Sequence, residues 1–325
     1  MTPLEPYAIG GYFELELPRT KATFHDGALR FQSSRAAFLA LLRSVRPTAV
    51  WMPWYICDAM VEPLRMTCTP IKRYRLDADL RVQSADVAHG EWLVYVNYFG
   101  LCAHQVDDVL GRFPRERVVI DNAQALFAQP AHCLATLYSP RKFLGVPDGG
   151  LLVTQKAIDL PEAIDEASLL RCSHLLTRLG RDAEAGYAYY AVAEESLKEQ
   201  EPLRMSALTE RLLASIDYDS VRSQRVENFA FLHEKLQRYN RFTFRHDGQS
   251  VPLCYPFFDA PAGLREALRA QRIYTPTYWP DVAAAEGMPE FERNLPGSTL
   301  CLPCDQRLTP DDLAPIAQHL LDRLA

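Results

Sequence analysis

No apolar run in the 325-residue sequence approaches the ~20 residues needed to span a bilayer, so no membrane-spanning helix is expected. Positive charge is not in excess either. The formal net charge is −6, which leaves no broad basic footprint for nucleic acid or an anionic membrane. The opening residues, MTPLEPYAIGGYFELELPRT, lack a basic start followed by an apolar stretch; no secretory signal is read there, and a cytoplasmic protein is the expectation. The eight histidines show no H-x-x-x-H or similar spacing, so no metal is expected. The eight cysteines, at 57, 68, 102, 133, 172, 254, 301 and 304, are too scattered for a disulfide scaffold. One pair, Cys301-Leu302-Pro303-Cys304, has CxxC spacing, but no second pair completes a zinc knuckle and no βαβ start lies beside it. It reads as reduced thiols packed on or beside a strand. Internal repeats and low-complexity tracts are absent.

What is present is ordinary for a soluble globular enzyme: 48% hydrophobic and 23% charged residues, in a chain long enough for a large core or two unequal domains. Helical and strand patterns alternate from residue 34 to about 155. Ser34–Val45 carries apolar residues at helical spacing behind a serine suited to capping. Ala49–Pro53, Ile71–Tyr74, Trp92–Phe99, Val118–Ile120 and Gly150–Thr154 read as buried strands, with helices at Asp58–Met66 and His104–Arg112. This alternation predicts a mainly parallel sheet covered by helices on both faces. Beyond residue 160 the chain reads as mostly helical to Gln237, including Ala207–Ile216 and Val221–Leu236. A smaller α+β part follows, with strand-like Ser250–Phe257 and helices at Pro261–Arg269, its proline suited to a first turn, and at Asp311–Leu324. The expected division is a large domain over 1–215 and a small C-terminal domain over 216–325.

In such sheets ligands collect beyond the carboxyl ends of the strands, which directs attention to three segments. Val118-Val119-Ile120-Asp121-Asn122-Ala123-Gln124 puts a carboxylate directly behind an apolar strand. Ser139-Pro140-Arg141-Lys142-Phe143-Leu144-Gly145-Val146-Pro147-Asp148-Gly149-Gly150 holds a lysine in a Pro- and Gly-rich loop. Ser33-Ser34-Arg35 opens the first long helix. Singly, these are a turn cap, a solvated lysine and a helix cap. In this order they suit pyridoxal 5'-phosphate (PLP), which needs a lysine amine, an acid for its ring nitrogen, and a helix N-terminus for its phosphate.

The set resembles the DegT/DnrJ/EryC1/StrS family of PLP-dependent sugar aminotransferases. There a small-residue stretch opens the phosphate-binding helix, D-x-A-Q or D-x-A-H supplies the ring contacts, and a lysine loop ends in G-D/E-G-G. The likeness continues at Arg272-Ile273-Tyr274-Thr275-Pro276 and Leu300-Cys301-Leu302-Pro303-Cys304. It implies a fold-type I α/β architecture, with a large domain built on a mainly parallel seven-stranded sheet flanked by helices and a smaller α+β domain. It also implies a homodimer with shared active sites. Lys142 would carry the cofactor as a Schiff base and shuttle a proton. Asp121 would pair with the ring nitrogen, Gln124 would lie near the ring and its O3′, and Ser34 and Arg35 would turn backbone N–H groups to the phosphate. Tyr55, or its neighbour Trp54, stands where the family places an aromatic on the ring, though core packing explains that segment equally. Tyr12, in Gly10-Gly11-Tyr12-Phe13-Glu14, would line the substrate entrance or belong to an edge strand. Asn97 or Tyr98, in Asn97-Tyr98-Phe99-Gly100, would touch cofactor or substrate or simply form a packed turn.

The pattern departs from the family at four points. The serine usual five residues before the lysine is Leu137, leaving Thr136 or Ser139 to serve the phosphate. The N-Y-R-L-T segment, whose asparagine reaches the partner subunit's phosphate, is best matched by Pro202-Leu203-Arg204-Met205-Ser206, without an asparagine. Arg35 replaces a small residue, adding charge to the phosphate or pointing to solvent. The chain is also shorter than most of the family, which implies trimmed loops around the sugar-nucleotide entrance. The activity implied is transfer of an amino group from glutamate to a keto sugar, a nucleotide-linked 4-keto-6-deoxy hexose. Lys142 argues against the family's dehydratases, which carry histidine there. The alternatives are a non-catalytic member kept for binding or regulation, and a PLP enzyme on a non-nucleotide substrate. The partners expected are thus small molecules and a second copy, without nucleic acid or membrane.

Overall fold

The computed structural model describes residues 11–18, 24–242 and 250–324. Strands β1 (Leu29–Phe31), β2 (Ala49–Pro53), β3 (Ile71–Tyr74), β4 (Glu91–Val96), β5 (Val118–Asn122), β6 (Ala135–Tyr138) and β7 (Gly150–Thr154) form one seven-stranded sheet in the order β1-β7-β6-β5-β4-β2-β3. From β3 to β6 every neighbouring pair is parallel; β7 runs antiparallel to β6, and β1 antiparallel to β7. The central strands β4 and β5 are buried along their whole length. Both faces are covered, so their sequences are near-continuous apolar runs rather than alternating ones.

Helix α1 (Ser34–Val45) begins where Ser33 Oγ accepts the Ala36 N–H at 3.1 Å, and it buries the run from Ala36 to Leu42. Helices α2 (Asp58–Met66) and α3 (Ala103–Arg112) connect the parallel strands. The segment from residue 160 is indeed helical, as α4 (Ser168–Arg171), α5 (Ser173–Gly180), α6 (Ala183–Glu195), α7 (Ala207–Leu213) and α8 (Tyr218–Leu236). Beyond it lie β8 (Tyr255–Phe257), α9 (Leu264–Ala270), α10 (Glu290–Ser298), β9 (Leu300–Leu302) and α11 (Pro310–Leu324), with β8 and β9 paired antiparallel. One apolar core contains Val94 and Ile120 of the large sheet together with Phe229, Leu300 and Leu313, so it is continuous across residue 215. No helix among the described residues is long and apolar enough to cross a membrane.

Two expected elements differ. The strand read over Trp92–Phe99 stops at Val96, because Tyr98–Gly100 form a 3-10 turn with Phe99 at φ 58 and Gly100 at φ 73. A Cβ on Gly100 would lie 2.8 Å from the backbone oxygens of Gln124 and Val251, so the turn is pressed against those two segments and only glycine fits there. The helix read from Pro261 starts only at Leu264, capped by Gly263 in the left-handed region. Strands β1 and β9, of three residues each, are too short for periodicity to reveal.

Candidate active site

Because β5 and β6 are parallel neighbours, with Asn122 opposite Tyr138, their following loops leave the same edge of the sheet. The antiparallel β7 begins at that edge. There Gly149 donates its N–H to Gln32 O at 2.7 Å and bridges to Ser33 at the start of α1. Three separate segments, those of Asp121, Lys142 and Ser34, are thereby brought to one place. The approach is tight: a Cβ on Gly150 would lie 2.0–2.2 Å from backbone atoms of Ser33 and Ser34.

Lys142 ends a short 3-10 turn, Pro140–Lys142, and its side-chain amine makes no hydrogen bond or ion pair with a described residue. Its charge acts on Asp121, which is 4% exposed and accepts the Ala123 N–H at 2.8 Å. Burial pushes the Asp121 carboxyl above its ordinary value, and Lys142 and the Ala123 N–H hold it back. Gln124 is buried; its Oε1 accepts the Phe99 N–H at 2.7 Å, while its Nε2 is left with no partner. Ser139, buried three residues before the lysine, gives its carbonyl to the Lys142 N–H at 3.2 Å, and its hydroxyl caps nothing. A lysine amine, a carboxyl, an amide nitrogen and a hydroxyl with unspent capacity thus stand at or just beyond one sheet edge. Buried polar groups are rarely left so. The donor set fits PLP.

The remaining expected residues are placed as follows. Thr136 pairs with Ile120 and so shares the sheet face opposite Asp121, with its hydroxyl 3.7 Å from Cys133 Sγ. Of the two hydroxyls, only that of Ser139 is at the lysine loop. Leu137, opposite Asp121, is core. Arg35 does not point to solvent: it donates to Leu197 O at 2.7 Å and lies 3.4 Å from Glu62, leaving its Nε buried and unpaired. Tyr55 is 1% exposed, its ring 5.7 Å from that of Tyr98 and 4.6 Å from that of Trp279, while Trp54 carries Arg73 over its ring. Tyr98 donates its hydroxyl to Tyr55 O at 2.8 Å. Asn97 spends its amide on Asn122 and on the Cys102 N–H, at 3.1 and 3.0 Å. Asn97, Tyr55 and Tyr98 are thus held by packing and internal bonds. Tyr12 is 98% exposed, residues 11–18 form no strand, and Gly10 lies outside the described residues.

Several neighbours carried no sequence signal of their own. Cys57, just before α2, lies in the field of Lys142, Asp121 and Arg35; burial pushes its thiol up, with Lys142 opposing. Phe143 O accepts from Arg225 at 3.2 Å and Gln306 at 2.9 Å, which ties the residue after Lys142 to α8 and to the chain beyond β9. Arg141 pairs with Glu194, and burial brings its guanidinium down to about 10. Asp148 accepts from Ser206 N at 2.9 Å, Ser206 Oγ at 3.0 Å and Thr209 Oγ1. The Asp-Gly-Gly and Pro-Leu-Arg-Met-Ser segments are therefore one joint, which spacing along the chain did not reveal.

No protein-family model matches the sequence, and no curated protein matches it. Solved structures match in fold. A sugar aminotransferase, CalS13, from Micromonospora echinospora has TM-score 0.63 at 17% identity, over 91% of this chain and 87% of that one. NtdA from Bacillus subtilis, with bound cofactor PMP, has TM-score 0.65 at 14% identity, over 91% and 73%. DesI, in the presence of its TDP-sugar product, has TM-score 0.62 at 20% identity, over 91% and 80%. The chain shares the fold of these proteins, which is the fold expected from the resemblance.

Proposed function

We propose that this protein is a PLP-dependent aminotransferase that carries an amino group from glutamate to a keto sugar, with a nucleotide-linked 4-keto-6-deoxy hexose as substrate. The observation that carries this is the unpaired Lys142 amine in the field of the buried Asp121, beside the orphaned Gln124 Nε2. The likeness in fold to a sugar aminotransferase, to a protein solved with PMP and to one solved with its TDP-sugar product supports it.

When bound, PLP supplies an electron-accepting ring that eases loss of a proton from the carbon bearing the amino group. The chain supplies the rest. Lys142 Nζ holds the cofactor and moves that proton. Asp121 would keep a proton on the ring nitrogen, and Gln124 Nε2 would be free to donate to the cofactor. Ser139 Oγ and the start of α1 at Ser34 and Arg35 hold the phosphate. In this reading residues 1–215 form the cofactor domain and 216–325 the small domain, in a cytoplasmic homodimer. Pairing of two copies is supported by the apolar face of α4 to α6, where Leu170, Leu179 and Val192 are 80%, 85% and 70% exposed.

A non-catalytic role for binding or regulation is favoured by Leu137 and by the missing asparagine in 202–206. One experiment separates the two. The purified protein should turn yellow with PLP, and borohydride should fix the cofactor on the Lys142 peptide; Lys142→Ala should do neither. Glutamate should then bleach the yellow form to pyridoxamine phosphate with release of 2-oxoglutarate. A protein that stays colourless with added PLP overturns the proposal, and one that colours but ignores glutamate supports the non-catalytic role.

A further inference from the structure

Helix α8 buries one cation. Arg225 is 2% exposed, and its guanidinium reaches three separate stretches of chain. Nη2 donates to Phe143 O at 3.2 Å, Nη1 to Pro252 O and Leu253 O at 3.1 and 3.2 Å, and Nε to Gln306 Oε1 at 2.8 Å. The guanidinium carbon also lies 4.6 Å from the centre of the Phe143 ring. All these partners are neutral. Asp305, an acid whose field reaches Arg225, is itself paired with Arg307 at 2.7 Å. A buried charge without a carboxylate of its own is costly. Here the cost is offset by acceptors that a planar fork of donors can reach together.

What Arg225 joins is the candidate site, from two sides. Phe143 follows Lys142, and its carbonyl takes a second donor, Gln306 Nε2, at 2.9 Å. Leu253 donates its own N–H to Phe99 O at 2.8 Å, and Phe99 is the residue whose N–H holds Gln124 Oε1. Two chains of bonds therefore run out from Arg225, one ending beside Lys142 and the other at Gln124. Attachment of α8 to the chain beyond β9 does not need them. Asn228, three residues on, gives its amide to Asp305 O at 3.0 Å and Leu308 O at 2.8 Å.

We infer that Arg225 is a positioning residue, which sets the Lys142 loop against the Gln124 turn and so fixes the spacing of the amine and the amide. The inference rests on the proposed activity and adds to that site a residue acting through Phe143 and Leu253. Two variants separate positioning from folding. Arg225→Lys keeps the buried charge but ends in a single nitrogen, which cannot serve all three stretches. Gln306→Glu still accepts from Arg225, now as an ion pair, but it loses the donor to Phe143 O and competes for Nη2. Its urea midpoint without cofactor should equal or exceed that of wild type. In the same cofactor-free protein, acetylation of Lys142 by acetic anhydride is read by mass spectrometry against the exposed Lys156. It should be about 2- to 10-fold faster than in wild type, the range expected for one lost neutral hydrogen bond. PLP should bind more weakly by about the same factor in Gln306→Glu, and by about 10- to 100-fold in Arg225→Lys, which loses charge-assisted bonds. Variants that match wild type in Lys142 labelling and PLP binding overturn the inference. So does an Arg225→Lys protein that loses stability beside a silent Gln306→Glu, because Arg225 then serves folding alone. Wild-type protein that takes up no PLP strikes the proposed activity instead, and the labelling ratio, measured without cofactor, still decides the inference.

Discussion

Phe99 donates its backbone N–H to Gln124 Oε1 at 2.7 Å, and that bond fixes which end of the amide is left over: Nε2, buried and without a partner. One residue thus closes the turn after β4 and presents a donor beside the sheet edge. Gln124→Met keeps the volume but leaves the buried Phe99 N–H without an acceptor, which costs about 1–3 kcal/mol. Urea unfolding without cofactor should register that loss, and PLP titration should register weaker binding separately. An unchanged unfolding midpoint would show that the bond is not formed in solution.

Gly150→Ala places a methyl against the backbone of Ser33 and Ser34, atoms that no rotamer change can move aside. Either β7 or the start of α1 must shift. The expected result is a loss on the order of 3 kcal/mol or more, in line with severe overpacking, and failure to take up PLP even where folded protein is recovered. Circular dichroism and PLP absorbance check the two halves. Normal PLP affinity in a stable Gly150→Ala protein would refute the close approach of α1 to β7.

Asp148 gives a pH signature. Burial pushes its carboxyl up to about 6, against the pull of the Ser206 bonds. Between the ordinary aspartate range and about 6 the folded chain therefore holds more protons at this site than the unfolded chain. The group's contribution to stability is fully present below that range and falls as pH rises through 6. Many acidic groups act in the opposite sense, so the measurement is a difference: urea midpoints of wild type and Asp148→Asn from pH 4 to 7.5. The wild type should lose ground relative to the variant as pH rises. A gap between the two that is flat with pH would contradict the raised value.

Much of the large sheet was legible because its physics is local. The bounds of β2 and β7 follow from apolar runs, those of α1 from helical spacing behind its Ser33 cap, and those of α2 from helical spacing alone. The order of Asp121, Gln124, Lys142 and Asp148-Gly149-Gly150 was also readable, because it is chain order. Tyr55 and Tyr98 were harder: aromatics that would suit a ring contact are also those that fill cores, and both are buried. Thr136 and Ser139 are three residues apart in sequence, yet strand alternation turns one hydroxyl to the far face.

What the sequence by itself determined was an alternating strand and helix scaffold, and an ordered set of groups chemically suited to PLP. Only the tertiary structure decided which of those groups are spent and which remain free. Asn97 has used its amide and Arg35 is drawn to Glu62, whereas Lys142 and Gln124 Nε2 keep their capacity. The reason is that a hydrogen bond or ion pair is satisfied by whatever group lies within reach, and reach is set by strand pairing and helix packing between residues far apart in the chain.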